Sequence, residues 1–155
     1  MSHLNKLIHS SKMNERFITS ICHVNYGKNG ATRIAVRDTT INEIVCSLIL
    51  EPVNTDIPHD GIIGELTENG QKCMALWDLN TRRDYRRKGL AKMAVEYAVK
   101  LYSNVNIVLI AKPTIRYSDD IPLYCLVKFY ESCGFEVGKK LSDRVIMKKL
   151  ANNEF

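Results

Sequence analysis

A basic segment followed by a glycine is the part of this chain whose residue types could bind an anion. Five basic residues stand against a single acid, Asp84, which gives a net +4 within seven positions. They are Arg82, Arg83, Arg86, Arg87 and Lys88. The whole chain carries a net charge of +5, so most of its excess positive charge lies here. Such a cluster indicates an anion site or, more simply, a solvated loop or a nucleic-acid patch.

The residues after Gly89 predict a helix from Leu90 to Ser103. Apolar residues recur at i, i+3, i+4, i+7, i+8 and i+11, and charged residues spaced by four occupy the opposite side. A helix N-terminus offers unpaired N–H groups and a partial positive charge to an anion. Because Gly89 has no β-carbon, the backbone can approach a ligand closely at this point.

The segments on either side of this turn and helix predict strands at Gln71–Leu79 and Asn106–Ala111. The basic turn therefore lies in a strand-turn-helix-strand unit. It is neither a Walker loop nor a dinucleotide fingerprint, because both need more glycines than the one present here. What the residues indicate is a pyrophosphate held by another kind of fold.

The rest of the chain predicts further strands and one more helix. A hairpin turn is expected at Asn29-Gly30, a long loop over Glu51–Glu68, and a second helix that starts near Pro122 and stops at Gly134. The remaining strands are predicted at Phe17–Val24, Thr32–Asp38, Ile44–Leu50, Ile62–Leu66, Phe135–Lys140 and Arg144–Leu150.

Composition limits the classes of protein to which the chain can belong. Its 155 residues, 45% hydrophobic and 25% charged, fit one globular domain and exclude a disordered, collagenous or coiled-coil protein. The five cysteines lack the spacing of a zinc site or a redox dithiol, so we expect a reduced cytoplasmic protein without a metal. No apolar stretch approaches the roughly 20 residues of a membrane helix, and the first twenty residues lack a signal peptide's apolar run.

Two segments resemble a known family. Arg86-Arg87-Lys88-Gly89-Leu90-Ala91 resembles the Arg/Gln-x-x-Gly-x-Gly/Ala acetyl-CoA signature of the GCN5-related N-acetyltransferase (GNAT) superfamily. Tyr130-Glu131-Ser132-Cys133-Gly134-Phe135 is similar to its later Tyr-x-x-x-Gly-Phe segment. The resemblance covers roughly residues 71 to 150. It implies an α/β (α+β) fold in a single domain over residues 1–155, with a mixed, mostly antiparallel sheet and two main helices.

The resemblance also implies an activity, the transfer of an acetyl group from acetyl-CoA to an amine by direct attack in a ternary complex. The backbone of Leu79, Asn80 and Thr81 would lie along the pantetheine arm. The pyrophosphate would be held by Arg86, Arg87, Lys88, Gly89, Leu90 and Ala91, with Arg87 or Lys88 near the 3′-phosphate. Family members commonly carry a bulge in the strand before the signature, where a backbone N–H polarises the thioester carbonyl. Tyr130 would protonate the leaving thiolate.

Other interpretations of these residues stay open. Tyr130 also fits a core tyrosine, and Asp78 fits a base, a holder of a base water or a solvated carboxylate. Glu65 and Glu68 are weaker candidates for the base. Cys125 and Cys133 fit buried small hydrophobes better than nucleophiles, and His23 and His59 receive no role.

The chain departs from the family pattern at several positions. The family commonly has Val, Pro, Gly and Asn where Thr81, Arg83, Arg87 and Leu123 stand. The loss of that Asn removes one expected coenzyme contact. The family also has two helices between its first two strands, whereas Phe17–Asp38 predicts a direct hairpin. The acceptor site would then be built by a short helix near His3–Met13, by the Glu51–Glu68 loop or by the partner subunit of a homodimer.

The sequence leaves the acceptor and two other functions open. A protein or peptide amine and a small polyamine or aminoglycoside are both allowed as acceptors. One alternative is a catalytically inactive coenzyme A-binding or protein-interaction module. Another is a nucleic-acid binder, which the sequence disfavours because Tyr85 is the sole aromatic residue in the basic segment and no nucleic-acid motif is present.

Overall fold

The computed structural model describes residues 16–23, 30–53, 73–113 and 121–152. These residues contain seven strands, two α-helices and one turn of 3-10 helix, Arg83–Tyr85. The strands are β1 Phe17–His23, β2 Thr32–Asp38, β3 Glu43–Pro52, β4 Cys73–Thr81, β5 Asn106–Ala111, β6 Glu136–Lys140 and β7 Val145–Lys149. The helices are α1 Leu90–Leu101 and α2 Leu123–Ser132.

The strands form one mostly antiparallel sheet in the order β1-β2-β3-β4-β5-β7-β6. The mixed α/β architecture with two main helices is therefore the one that the sequence predicts. Backbone contacts divide the chain into two compact units. The first takes the described residues up to Glu51 together with Leu76–Leu101, and the second takes the others.

The predicted hairpin is present at the start of the sheet. β1 pairs antiparallel with β2, from Phe17 opposite Asp38 to His23 opposite Thr32. The eight residues that join these strands are too few for the two helices that the family commonly has at this point. A helix needs about 12 residues for three turns, and even two short helices would exceed this length. The departure expected from the sequence is thus confirmed.

Most predicted elements agree with the structure within two residues. β2 and β5 have the predicted bounds. α1 ends at Leu101 rather than at Ser103, and β4 continues two residues beyond Leu79 to Thr81. The expected helix near residues 3–13, the strand at 62–66 and the turn at 69–70 lie outside the described residues.

The core of the first unit lies between its strands and α1. The helix packs against β1 and β2, and its Leu90 and Val95 are completely buried. Ile34 from β2 and Leu48 from β3 are also inaccessible to solvent. Each such aliphatic side chain contributes about 1.5–3 kcal/mol of burial free energy, which fixes the start of α1 on the sheet.

In the second unit, α2 packs against β5, β6 and β7. β5 and β7 pair antiparallel from Ile107 opposite Lys149 to Ala111 opposite Val145. The end of the chain's described part is tied back to the start of β5, because the Ala151 N–H donates to the Oδ1 of buried Asn106 at 2.7 Å. Within the described ranges, no helix is long and apolar enough to cross a membrane.

Candidate functional site

β4 is interrupted near its end by a residue in the left-handed region. Asp78 has a φ of 55°, and both Asp78 and the preceding Trp77 are exposed. Two consecutive exposed residues break the alternation of a regular strand, and a left-handed residue at this point is typical of a β-bulge. Aspartate tolerates this conformation better than most residues. The regular strand predicted through Leu79 is therefore kinked one residue earlier.

The last residue of β4 is held by hydrogen bonds on two sides. The Thr81 hydroxyl donates to the Cys46 Sγ at 3.2 Å, and the Thr81 carbonyl accepts a bond from the Arg86 Nε at 3.3 Å. Burial raises the pKa of the Cys46 thiol, so this group stays protonated at neutral pH. Leu79 and Thr81 are half-buried, whereas Asn80 is exposed.

The turn before α1 contains two left-handed residues. Arg87 has a φ of 62° and Gly89 a φ of 77°. The family commonly has glycine where Arg87 stands, and the structure gives the reason, since only glycine adopts this φ without steric cost. Arginine takes the same backbone conformation here at a cost of about 1–2 kcal/mol. The shape of the turn is thus kept although its glycine is replaced.

α1 begins directly after this turn. The Gly89 carbonyl accepts the first helical bond, from the Met93 N–H at 3.0 Å. The N–H groups of the first helical turn therefore have no acceptor within the helix, and they carry its partial positive charge. No acid lies in this first turn. The donors at the start of α1 thus fit a phosphate group, and no carboxylate of that turn competes with it.

The positive charge of the basic segment is divided among several partners. The Arg82 Nη1 lies 2.7 Å from the Glu43 Oε2, and its Nε lies 3.6 Å from the Asp84 Oδ1. Arg86 is half-buried and bonded to Thr81, as described above. Arg87 and Lys88 are exposed, and no ion pair joins either of them to an acid among the described residues. Arg87 and Lys88 are thus two exposed cations of the segment whose charge no described acid offsets through an ion pair.

Tyr85, in the 3-10 helix, is a site residue that the sequence did not single out. Its side chain is buried, and its hydroxyl donates to the Asp38 Oδ2 at 2.6 Å. The Lys88 Nζ lies 5.5 Å from the centroid of its ring, within the range of a cation–π contact. Asp38 lies 47 positions before Tyr85 in the sequence, and no spacing pattern relates either residue to the acetyl-CoA signature at residues 86–91. The sequence alone therefore could not show that they are in contact.

Tyr130 lies in the last turn of α2, in the second unit. It is buried and contacts Phe129 and Phe135 edge to face, with ring centroids 5.1 and 6.0 Å away. Burial, with a smaller contribution from Cys133, raises the pKa of Tyr130 to about 12. The phenol is therefore protonated throughout the physiological range and can donate a proton but not accept one.

The helix ending explains the spacing of the Tyr-x-x-x-Gly-Phe segment. The Phe135 N–H donates to the Tyr130 carbonyl at 3.1 Å, and the Gly134 N–H donates to the Glu131 carbonyl at 3.0 Å. With Gly134 at a φ of 97°, these are the two bonds of a Schellman motif, and the contact of Phe135 with Tyr130 is its usual hydrophobic partner. The glycine predicted as a helix stop is confirmed.

The other candidates differ in what the structure shows of them. Cys133 is buried and Cys125 is half-buried, and none of the five cysteines takes part in a disulfide. Glu65, Glu68 and His59 lie outside the described residues. Among the residues that the structure does describe, no group of three or more His, Cys, Asp or Glu side chains could hold a metal.

The fold is a mixed sheet in which a basic, partly left-handed turn leads into a helix whose first turn has no acid, an arrangement that fits a phosphate group. Residues 57–135, half of the chain, match the acetyltransferase (GNAT) family, and the chain therefore belongs to that family. A search of curated proteins finds no match to this sequence.

Several solved structures similar to this chain are acetyltransferases. NAA60 from Arabidopsis thaliana, in complex with a bisubstrate analogue, is 15% identical with a TM-score of 0.58, over 84% of this chain and 80% of that one. A structure described as histone acetyltransferase HPA2 and related acetyltransferase, from Corynebacterium glutamicum, is 14% identical with a TM-score of 0.55. The match covers 81% of this chain and 67% of that one. An aminoglycoside N(6′)-acetyltransferase from Legionella pneumophila is 21% identical with a TM-score of 0.51, and the match covers 81% of this chain and 66% of that one. At these identities the likeness shows the fold.

Proposed function

We propose that this protein is an N-acetyltransferase that uses acetyl-CoA and transfers its acetyl group to an amine by direct attack in a ternary complex. The observation that carries the proposal is the start of α1, where the left-handed residues Arg87 and Gly89 precede a helical turn without an acid. Acetyl-CoA supplies an activated acyl group: a C–N bond forms to the amine, the C–S bond breaks, and a thiolate leaves.

The chain's own residues divide the work of binding. The turn and helix start bind the pyrophosphate through the N–H groups of Gly89, Leu90 and Ala91 and through the side chains of Arg86, Arg87 and Lys88. The backbone of Leu79, Asn80 and Thr81 binds the amide arm, next to the left-handed residue Asp78, where a bulge would leave backbone groups available to a ligand.

Two side chains are proposed to move protons. Tyr130 donates the proton that the leaving thiolate takes up, since its raised pKa keeps the phenol protonated. Asp78 is exposed at the kink and accepts the proton that the amine loses, directly or through a water. A backbone N–H of β4 near this residue polarises the thioester carbonyl. No metal takes part in this proposal.

The acceptor is proposed as a protein or peptide amine, with a small-molecule amine as the alternative. NAA60 is seen with a bisubstrate analogue, and another structure of similar fold is an enzyme for aminoglycosides. The net charge of +5 mildly disfavours a strongly cationic small molecule. A homodimer in which a partner subunit completes the acceptor site is compatible with the direct hairpin between β1 and β2.

A catalytically inactive coenzyme A-binding or interaction module is the second candidate. Leu123, where the family commonly has Asn, favours it, because an apolar side chain cannot replace the expected amide contact. Nucleic-acid binding receives less support, since Glu43 and Asp84 pair with Arg82 and remove part of the cluster's charge. The cytoplasm is the proposed location, in keeping with five cysteines that form no disulfide.

Calorimetric titration with acetyl-CoA tests the binding step. Wild-type protein is expected to bind saturably, and Gly89→Asp is expected to weaken binding more than tenfold, because it places a carboxylate at the phosphate site. Gly30→Asp is the matched control, since Gly30 also has a positive φ, 101°, but lies in the β1–β2 turn. Folded wild-type protein that binds no acetyl-CoA would overturn the proposal.

Release of coenzyme A thiol in the presence of candidate amines then tests catalysis. A panel of peptides, polyamines and aminoglycosides distinguishes the acceptor classes. Binding of acetyl-CoA with no thiol release over the background hydrolysis for any amine would favour the inactive module.

A further inference from the structure

The first unit buries a carboxylate among donors from several parts of the chain. Asp38, at the end of β2, is completely buried, and Arg16 lies against it with the Nη2 3.0 Å from the Oδ2. Thr40 donates to the Oδ1 through its backbone N–H at 3.0 Å and its hydroxyl at 2.6 Å. A buried carboxylate requires such partners, because desolvation of an unpaired charge is costly.

Tyr85 is the partner that comes from a distant segment. Its hydroxyl donates to Asp38 at 2.6 Å, across 47 positions of sequence. Arg16 begins the described part of the chain just before β1, and Thr40 follows β2, so both lie beside Asp38 in the hairpin already. The bond from Tyr85, by contrast, attaches the basic segment to the end of β2.

The ring of Tyr85 gives this attachment a further consequence. Phe17 meets it edge to face with centroids 6.2 Å apart, and the Arg82 Cζ and the Lys88 Nζ each lie 5.5 Å from its centroid. Arg86, the next residue, begins the turn that leads into α1. The hydroxyl of Tyr85 is thus bonded to Asp38 while its ring lies against Lys88, an exposed cation that no described acid pairs with.

We propose that Asp38 and Tyr85 are positioning residues for the coenzyme phosphates. Their hydrogen bond holds the 3-10 helix on the end of β2, and through it holds Lys88 and the turn 86–89 in the shape that receives a phosphate. The inference rests on the proposed function. A preformed turn binds more tightly because the entropy of ordering it is not lost on binding.

The test compares two ligands, acetyl-CoA and S-acetylpantetheine, which has the same thioester arm but no phosphate. Tyr85→Phe keeps the ring and removes the bond to Asp38. We expect its affinity for acetyl-CoA to fall about five- to twentyfold and its affinity for S-acetylpantetheine to stay within twofold of wild type, both measured by calorimetry. The ratio of the two affinities is the readout, because a general loss of structure would lower both.

Tyr97→Phe is the matched control. Tyr97 is a buried tyrosine of α1 whose hydroxyl makes no hydrogen bond among the described residues. Its replacement is expected to leave both affinities unchanged. A double variant, Tyr85→Phe with Lys88→Met, sharpens the test: if Tyr85 acts through Lys88, the two effects on acetyl-CoA affinity are less than additive.

Several outcomes would overturn the inference. They are unchanged acetyl-CoA affinity in Tyr85→Phe, an equal loss for both ligands, full additivity with Lys88→Met, and a Tyr85→Phe protein that no longer folds. In each of these cases wild-type binding of acetyl-CoA stands and the proposed function is unaffected. If the wild-type protein binds no acetyl-CoA, both the function and this inference fall.

Discussion

Two tyrosines, Tyr85 in the first unit and Tyr130 in the second, are buried to almost the same extent, with 7% and 8% of their surface exposed. Their surroundings differ. The Tyr85 hydroxyl is bonded to a carboxylate, whereas the Tyr130 ring contacts the rings of Phe129 and Phe135. The pKa of each phenol is raised, for Tyr85 chiefly by the hydrogen bond to Asp38 and for Tyr130 chiefly by burial.

The difference teaches that burial alone does not define what a tyrosine does. A phenol whose proton is shared with a buried carboxylate is committed to that bond and acts as an anchor. A phenol whose pKa is raised by desolvation stays protonated at neutral pH, and its proton is not committed to a carboxylate. This difference agrees with the roles that we propose, coenzyme positioning for Tyr85 and proton transfer for Tyr130.

The largest effect is expected from Tyr130→Phe. The variant keeps the ring contacts and removes the proton, so kcat should fall about 100- to 1000-fold while the affinity for acetyl-CoA stays within twofold. Steady-state kinetics with calorimetry measures both quantities. Tyr97→Phe serves as the control. A kcat within threefold of wild type would break the comparison, because Tyr130 would then be a core residue only.

Acid stability is the next test and concerns the anchor. Arg16, followed by Thr40 and Tyr85, holds the pKa of Asp38 well below its usual range, against the opposing effect of burial. The carboxylate therefore stabilises the fold above about pH 4, and this stabilisation is lost as the pH falls below that value. Asp38→Asn should be less stable than wild type at pH 7, and the gap should narrow below pH 4.

Urea unfolding at a series of pH values checks this expectation. The slope of the free energy of unfolding against pH reports how many protons the protein takes up on unfolding. In the acid range this number should be larger for wild type than for Asp38→Asn, by up to one proton per molecule. Asp84→Asn is the control, because the Asp84 carboxyl is exposed. A stability gap that is constant from pH 7 to pH 3 would contradict the role given to the charge of Asp38.

Alkaline titration measures the pKa of each of the two phenols, and the change in stability expected from their ionisation is smaller than the effects described above. Both should ionise above the ordinary tyrosine value of about 10, and Tyr130 near 12. Because a raised pKa favours the protonated folded state, each contributes stability below pH 10 that is lost as the pH rises further. Tyrosinate absorbance, compared between wild type and each Tyr→Phe variant, isolates the two transitions. A transition at 10 for Tyr130 would show that its ring is not desolvated.

The smallest effect is expected from Arg87→Gly, in the turn that we propose Tyr85 positions. Removal of the left-handed arginine raises the free energy of unfolding by about 1–2 kcal/mol. The greater freedom of glycine in the unfolded chain lowers it by about 0.5–1 kcal/mol. The variant should be slightly more stable in urea unfolding yet bind acetyl-CoA more weakly, since it loses a cation. A clear loss of stability would indicate that the Arg87 side chain makes contacts that matter more than its backbone strain.

The sequence predicted the elements that have a strong local pattern. The β2 sequence places Ile34 and Val36 at one set of alternate positions and Arg33 and Arg37 at the other. β5 is a continuous apolar run, and both strands have the predicted bounds. The Gly134 stop was found because glycine in a Schellman motif is a local signal. The same holds for the start of α1, where Gly89 precedes a helical period.

What the sequence did not predict depends on contacts between distant positions. Asp38 and Tyr85 are 47 residues apart, and neither their spacing nor their types distinguish them from a turn aspartate and a loop tyrosine. The pairing of Arg82 with Glu43 was missed for the same reason, at a separation of 39 residues. The family resemblance implied a bulge in β4, but the sequence did not place it at Asp78, because no glycine marks that position.

The Schellman motif at the end of α2 has a consequence for how activity can be lost in this family. Its backbone bonds use the carbonyl of Tyr130, and its ring contact with Phe135 needs only an aromatic side chain. Neither depends on the phenol oxygen. If Tyr130 is the proton donor that we propose, loss of that one atom would abolish proton transfer and leave the helix end unchanged.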